Sequence, residues 1–293
     1  MKLLHYFAAF PLVVAATYTH IAQADENYFG YVYGSDTLPA GASEAYLWVT
    51  DRRNKGQGIY HAQDYALEVE HGFTDKLQGS VYLTASKYHI KDAAPIEDGV
   101  PEYPNKQNFG LNGVKVSLKY NLLSVYKDAF GLSFYVEPGW SSRFKVTGQD
   151  MSQYSLEMKL IAQKNFFDDT LVWATNLTTE FERRKVSSPG ESWGNEMELE
   201  VTTGLSYRFA PKWFAGVEGR YHSEYPDWNN QFKREHYAVF FGPNIHYGGE
   251  KFWWTATYLP QMYGGPRDLT RDETLHLGEH ERRELRFKLG YNF

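Results

Sequence analysis

The chain has no cysteine, which excludes thiol nucleophiles, disulfide staples and Cys-ligated zinc. Beyond residue 24 it also has no uninterrupted apolar run of the length a membrane-spanning helix needs. A helical membrane protein is thereby excluded. Positive charge is in short supply, since 30 Lys and Arg stand against 36 Asp and Glu for a net charge of -6 at pH 7. That sign argues against a nucleic-acid partner, whose phosphates call for a basic surface.

Aromatic residues, by contrast, are abundant. Tyr (23), Phe (19) and Trp (8) occur in a chain whose mean hydropathy is only -0.55. So much aromatic surface in a soluble protein needs a large core, yet no helical periodicity accompanies it. A membrane β-barrel reconciles the two facts, because outward apolar residues alternate with inward polar ones and aromatics gather in two interfacial girdles.

Residues 1–24 begin with Lys2, continue through an apolar stretch at 7–16 and end on Ala22-Gln23-Ala24, a small-x-small cleavage pattern. The apolar run is too short to span and is broken by Thr17, Thr19 and His20. The expectation is a cleaved leader over 1–24, which removes Lys2 and no acid and leaves 29 bases against 36 acids, a net charge of -7. Residues 25–43 contain Gly30, Gly34, Pro39 and Gly41 without sustained alternation and read as a periplasmic lead-in.

From residue 44 to 293 the pattern is period two. The last strand shows it most plainly: Leu285, Phe287, Leu289, Tyr291 and Phe293 alternate with Glu284, Arg286, Lys288, Gly290 and Asn292. Further strands are expected at 44–52, 60–73, 77–90, 109–122, 130–145, 153–164, 171–183, 196–209, 213–224, 235–247 and 252–261. The eighth sets Met197, Leu199, Val201, Leu205 and Tyr207 against Glu196, Glu198, Glu200 and Arg208. In the first strand the outward face stays undecided. Connections after the second, sixth, eighth and tenth strands are short turns, whereas those after the third, seventh, ninth and eleventh are long and polar. Short turns at one end and long loops at the other predict an all-β fold, a transmembrane antiparallel up-and-down β-barrel of about 12 strands. The long loop at 263–282, dense in charge, is expected to be external and mobile.

The terminal strand, stopping on Phe293 with Tyr291 two places earlier, resembles that of Gram-negative outer-membrane β-barrels. The resemblance implies that Phe293 and Tyr291 form the signal read by the barrel-assembly machinery, and that the location is the bacterial outer membrane. Thr37-Leu38-Pro39-Ala40-Gly41, Leu47-Trp48-Val49-Thr50-Asp51-Arg52 and Glu70-His71-Gly72-Phe73-Thr74-Asp75-Lys76-Leu77 resemble a family of bacterial outer-membrane barrels. That likeness brings no substrate and no catalytic residue.

The alternation sends Glu68, Glu70, Lys115, Lys119, Glu137, Glu157, Lys159, Glu180, Glu182, Glu196, Glu198, Glu200, Arg208, Glu218, Arg220, Arg286 and Lys288 into the lumen. The acids gather on the seventh and eighth strands, while Lys115, Lys119, Arg286 and Lys288 lie on the fourth and twelfth, so acids and bases are expected to face each other across a polarised interior. Such an interior is either a narrow water-filled channel or a salt-bridged plug of side chains. An enzyme is the rival class, and its local hint is His222-Ser223-Glu224. Neighbours on a strand point to opposite faces, so His222 and Ser223 do not share a proton, and no catalytic residue is assigned.

His276, His280, Glu279 and Asp272 in the last loop are candidate metal ligands or plain solvated loop residues. No ligand spacing is enforced, so neither a metal nor a cofactor is assigned. The functional expectation is a narrow channel or transporter-like barrel for a small polar solute or ion. An outer-leaflet lipid-modifying enzyme and a closed structural or adhesion barrel are the alternatives. The expected partners are outer-membrane lipid, lipopolysaccharide and the assembly machinery.

Overall fold

The computed structural model describes residues 27–94, 103–188, 190–266 and 274–293, and the leader assigned to 1–24 lies outside them. Twelve strands run up and down: β1 (Ser43–Arg53), β2 (Gln57–Thr74), β3 (Leu77–Ala94), β4 (Lys106–Leu123), β5 (Gly131–Arg143), β6 (Asp150–Phe166), β7 (Leu171–Val186), β8 (Gly194–Ala210), β9 (Trp213–Pro226), β10 (His236–Gly248), β11 (Phe252–Gly265) and β12 (Arg283–Asn292). Each pairs antiparallel with its sequence neighbours, and β1 pairs with β12 from Glu44↔Asn292 to Arg53↔Arg283, closing the barrel. Closure leaves no strand edge to be hydrogen-bonded by solvent, a requirement of any sheet that crosses hydrocarbon.

The outer face is apolar. Leu67, Val81, Leu118, Leu177, Val201 and Leu285 all present exposed side chains in its middle. Aromatics ring both ends: Trp213 packs on Tyr247 and Trp254 and Tyr291 on Phe252 at the turn end, while Tyr154 packs on Trp193 and Tyr221 on Tyr237 at the loop end. Tilted strands need about 9 to 11 residues to cross the bilayer, but β2, β3 and β4 each have 18. The ladders continue past the apolar band at the loop end, where outward residues such as Gln57, His61, Lys87 and Lys91 are polar and the inward Tyr60, Ala62, Tyr88 and Ile90 form a buried apolar cluster, so the apolar-out alternation ends.

The face of β1 is decided by its neighbours. Arg52 donates to Asp64 on β2 at 2.7 Å and Thr50 accepts from Arg286 on β12 at 2.8 Å, so the even-numbered residues point inward and Leu47 outward.

The lead-in does not lie outside the barrel. Residues 27–38 cross its interior near the turn end: Tyr28, Phe29 and Val32 pack with Val172, Ala174 and Phe214, and Tyr31 packs with Ala238, Phe240 and Leu259. Aromatic residues without alternating partners were wanted neither by lipid nor by water, and the lumen buries them. Gly204 on β8 makes room, because a Cβ there would meet the Phe29 ring at 2.5 Å. The charged loop is corrected too. Residues 274–282 fold into the loop-end mouth, and β11 runs on to Gly265.

Arg at an outward mid-barrel position should cost about 2 to 4 kcal/mol. Val201→Arg is therefore expected to lower the denaturant midpoint in lipid vesicles, and an unchanged midpoint would remove the outward assignment of β8.

Candidate functional site: the charged lumen

The lumen has two layers. At the turn end the segment 27–38 is tied down through its backbone by inward polar side chains. The buried carboxylate of Glu218 on β9 accepts the amides of Gly30 and Tyr31, both at 2.8 Å, the Thr257 hydroxyl at 2.6 Å and the Asn244 amide at 3.0 Å. Four donors satisfy this ion where no cation does. Asn176 accepts from the Tyr33 amide at 2.7 Å, Gln163 from the Ser35 amide at 2.7 Å, and Gln78 from the Leu38 amide at 2.8 Å while donating to Glu70. Glu68, Glu70, Lys119, Glu218 and Lys288 are all buried in this layer.

Above the segment an ionic tier begins. Arg220 forks onto Glu284 at 2.6 and 3.2 Å, and Tyr31 donates to the same carboxylate at 2.7 Å. Arg286 stacks on Tyr31 at 3.8 Å and on Trp48 at 4.5 Å. Lys115 reaches Glu137 on the adjacent β5 at 2.7 Å, and Lys159 pairs with Glu157 on its own strand at 2.8 Å.

Among the described residues no direct ion pair joins the β7–β8 acids to the β4 and β12 bases as expected, although Lys115 of β4 still acts electrostatically on Glu180 of β7. The acidic wall is answered locally: Arg184 of β7 pairs with Glu196, and His222 of β9 with Glu198 at 2.9 Å. Short reach explains this, since desolvated charges gain most from a partner on the next strand.

Between these groups lies a cavity of about 340 Å³, lined by Lys115, Glu137, Glu157, Lys159, Glu180, Glu182, Glu196, Glu198, Glu200, Arg220 and Arg286 of the expected set. Arg208 sits instead at the turn-end rim, where it donates to the Asp168 carbonyl at 2.7 Å. The cavity also takes Arg52, Asp64, Arg184, Glu224, Glu281 and Glu284, none of them among the lumen candidates, although Asp64 and Glu284 share the inward faces of Glu68 and Arg286. Carrying the period two one step further from Glu182, His222 and Arg286 reaches Arg184, Glu224 and Glu284. Nothing local announces Glu281.

Residues 274–282 fold into the mouth. Glu281 pairs with Arg52 at 2.5 Å and with Lys55 at 3.3 Å, and Lys55 donates to the Glu279 carbonyl. Gln261 accepts from the His276 amide at 2.6 Å and donates to the carbonyls of His276 and Glu281. Burial alone would raise the Glu281 carboxyl, but Lys55 and then Arg52 outweigh it and hold it well below the carboxylate range.

His276 and His280 are not solvated. They are 2% and 5% exposed and pack with His236 and His222, His276 stacking on His236 at 4.9 Å. Burial, then the neighbouring histidines, pushes His280 well below the ordinary imidazole value, so it is neutral at pH 7. Asp272 lies outside the described residues. Ser223 donates to the Leu199 carbonyl at 3.3 Å, away from His222, so the local triad hint dissolves.

A closed antiparallel barrel with an apolar belt, two aromatic girdles and a charged interior is a transmembrane β-barrel of the bacterial outer-membrane type. The chain belongs to a family of unknown function, DUF6662, whose model matches residues 21–293. No curated protein matches it. The COG4313 outer membrane channel from Pseudomonas putida F1 shares the fold at 11% identity and a TM-score of 0.57, over 88% of this chain and 98% of that one. The beta domain of the Bordetella autotransporter Brka is likewise similar, at 10% identity and a TM-score of 0.53 over 86% and 100%.

Glu281→Gln takes the paired carboxylate from buried Lys55 and leaves Arg52 with Asp64 alone, and should cost on the order of 3 kcal/mol. Trypsin should then cut at Arg282 faster in detergent-solubilised protein. Because its folded value is depressed, Glu281 stabilises in full above the unfolded carboxyl value of about 4.3, and the contribution is lost as pH falls through the folded value. Unchanged cleavage in the variant would remove this tie.

Proposed function

We propose that the barrel is a narrow passive channel for small polar solutes, with a modest preference for cations, held shut in this conformation by residues 27–38 at one end and 274–282 at the other. The observation that carries this reading is the cavity itself: its wall holds twelve Asp and Glu against nine Lys and Arg, and it is not filled by an apolar core. A barrel built only for structure gains nothing from a charged hollow, since desolvating ions costs more than packing hydrocarbon. The excess of carboxylates in a confined space favours cations, because low-dielectric walls focus the field.

The way the turn-end segment is held also supports a movable plug. Among the described residues, 27–38 are joined to the barrel by side-chain contacts and not by backbone ladder bonds. Each such contact is worth about 0.5 to 1.5 kcal/mol net, and water can replace it once the segment leaves. The COG4313 outer membrane channel has the same fold.

Planar-bilayer recording of the reconstituted full chain tests the reading. Wild type should show rare, small openings. Glu218→Ala combined with Tyr31→Ala removes ties worth about 3 kcal/mol and should raise the open fraction by roughly two orders of magnitude. Glu198→Gln with Glu200→Gln should shift the reversal potential in a salt gradient toward non-selectivity while current persists. Absence of current from every folded variant would overturn the channel.

A further inference from the structure

The loop-end lumen gathers histidines and carboxylates from four separate parts of the chain. His222 and Glu224 stand two apart on β9 and share its inward face. Glu196 and Glu198 come from β8, His236 opens β10, and His280 descends from the folded loop. One ligand atom each from His222, Glu224 and His280 lies within 4.8 Å of the others, and the same holds for Glu196, Glu198 and Glu224. His236 touches both sides of the group, its Nε2 at 3.2 Å from Glu224 and its Nδ1 at 3.1 Å from the Nε2 of His280.

Two atoms in this cluster have no hydrogen-bond partner. His222 Nδ1 is buried without one, and so is Glu196 Oε1, on a side chain only 4% exposed. The Glu196 oxygen is an acceptor with no donor, which is costly inside a protein, and His222 Nδ1 stands 3.8 Å from Glu224 Oε1 with neither in a hydrogen-bonded geometry; a cation between such groups satisfies several at once.

The rest of His222 is set up as a metal ligand's is. Its Nε2 faces Glu198 Oε2 at 2.9 Å and its Nδ1 faces Glu224 Oε1 at 3.8 Å, so an arriving cation would displace the Nδ1 proton while Nε2 keeps donating to Glu198. A carboxylate behind a histidine in this way orients the ring and raises its basicity toward a metal.

We propose that His222, Glu224 and His280, with His236 as the fourth donor, form a binding site for a divalent transition-metal cation of the zinc type. Mixed imidazole and carboxylate donors suit Zn²⁺, Co²⁺ or Ni²⁺ and not the all-oxygen shell of Ca²⁺ or Mg²⁺. Bonds of about 2.0 to 2.2 Å place tetrahedral ligands roughly 3.3 Å apart, so the observed spacing closes by side-chain rotation of about an ångström. The ion's two positive charges also offset part of the negative charge of Glu196, Glu198 and Glu224. His280 belongs to the loop and the other three donors to the wall, so the ion fastens residues 274–282 across the mouth. The site stands whether or not the barrel conducts.

Titration of the full chain in detergent with Co²⁺, followed by visible absorption, and with Zn²⁺, followed by calorimetry, tests this. One equivalent is expected, with the strong visible bands of four-coordinate Co²⁺, displaced by Zn²⁺. His280→Ala, which alters the loop and no strand, and Glu224→Gln should each weaken binding more than tenfold. Glu198→Gln should weaken it about 10- to 100-fold through the orientation of His222, and His71→Ala, far away at the turn end, should leave it unchanged. Unfolding midpoints measured alongside separate loss of the site from loss of the fold. No saturable binding by wild type, or binding that His280→Ala and Glu224→Gln leave intact while both are folded, would overturn the site. So would equal loss in His71→Ala.

Discussion

The pairing of β1 with β12 is the constraint on which everything else depends. In hydrocarbon no strand edge can be left without hydrogen bonds, so the sheet has to close. Ten successive residue pairs, from Glu44↔Asn292 to Arg53↔Arg283, make that closure. Once it is made, every strand residue is either inside or outside, and no third environment exists for a charge that lipid rejects. The ionic interior is thus a consequence of closure together with strict alternation.

An interior so charged must satisfy its ions within itself, and it does so over short distances. Lys115 with Glu137 and His222 with Glu198 bridge adjacent strands, and Arg220 of β9 reaches Glu284 of β12 past the two strands between them. Where no base is at hand, backbone amides substitute, as Gly30 and Tyr31 do for Glu218. The turn-end segment therefore supplies hydrogen-bond donors as well as filling space. Its aromatic residues pack on Val172, Phe214, Phe240 and Leu259 while its amides donate to Glu218, Asn176, Gln163 and Gln78 on the wall.

The two closures of the lumen differ in character. The turn-end segment is held by scattered hydrogen bonds and aromatic packing. The loop-end segment is held by a compact knot in which Glu281 joins Arg52 and Lys55 and Gln261 grips the backbone on both sides of His280. Buried ionic ties of this sort are costly to break one partner at a time. The charged cavity lies between the two segments.

Alternation in residues 44–293 was enough to determine the strand count, the order of turns and loops, the outward apolar belt and most of the inward charges. Period two is a local property, and each hydrophobic residue declares its face without reference to any other part of the chain. The face of β1 was not legible, because Tyr46, Trp48, Thr50 and Arg52 mix aromatic, neutral and charged residues. Only Arg286 and Asp64 on neighbouring strands settle it. Residues 27–38 looked like a solvated lead-in and 274–282 like a solvated loop, since neither carries a period. Their place inside the barrel is fixed by partners far off in sequence, Glu218 for Tyr31 and Arg52 for Glu281. The histidine cluster is of the same kind. His222, His236 and His280 are separated by two turns of the sheet and a loop, and no spacing along the chain encodes a meeting that exists only after the barrel has closed and the loop has folded back into its mouth.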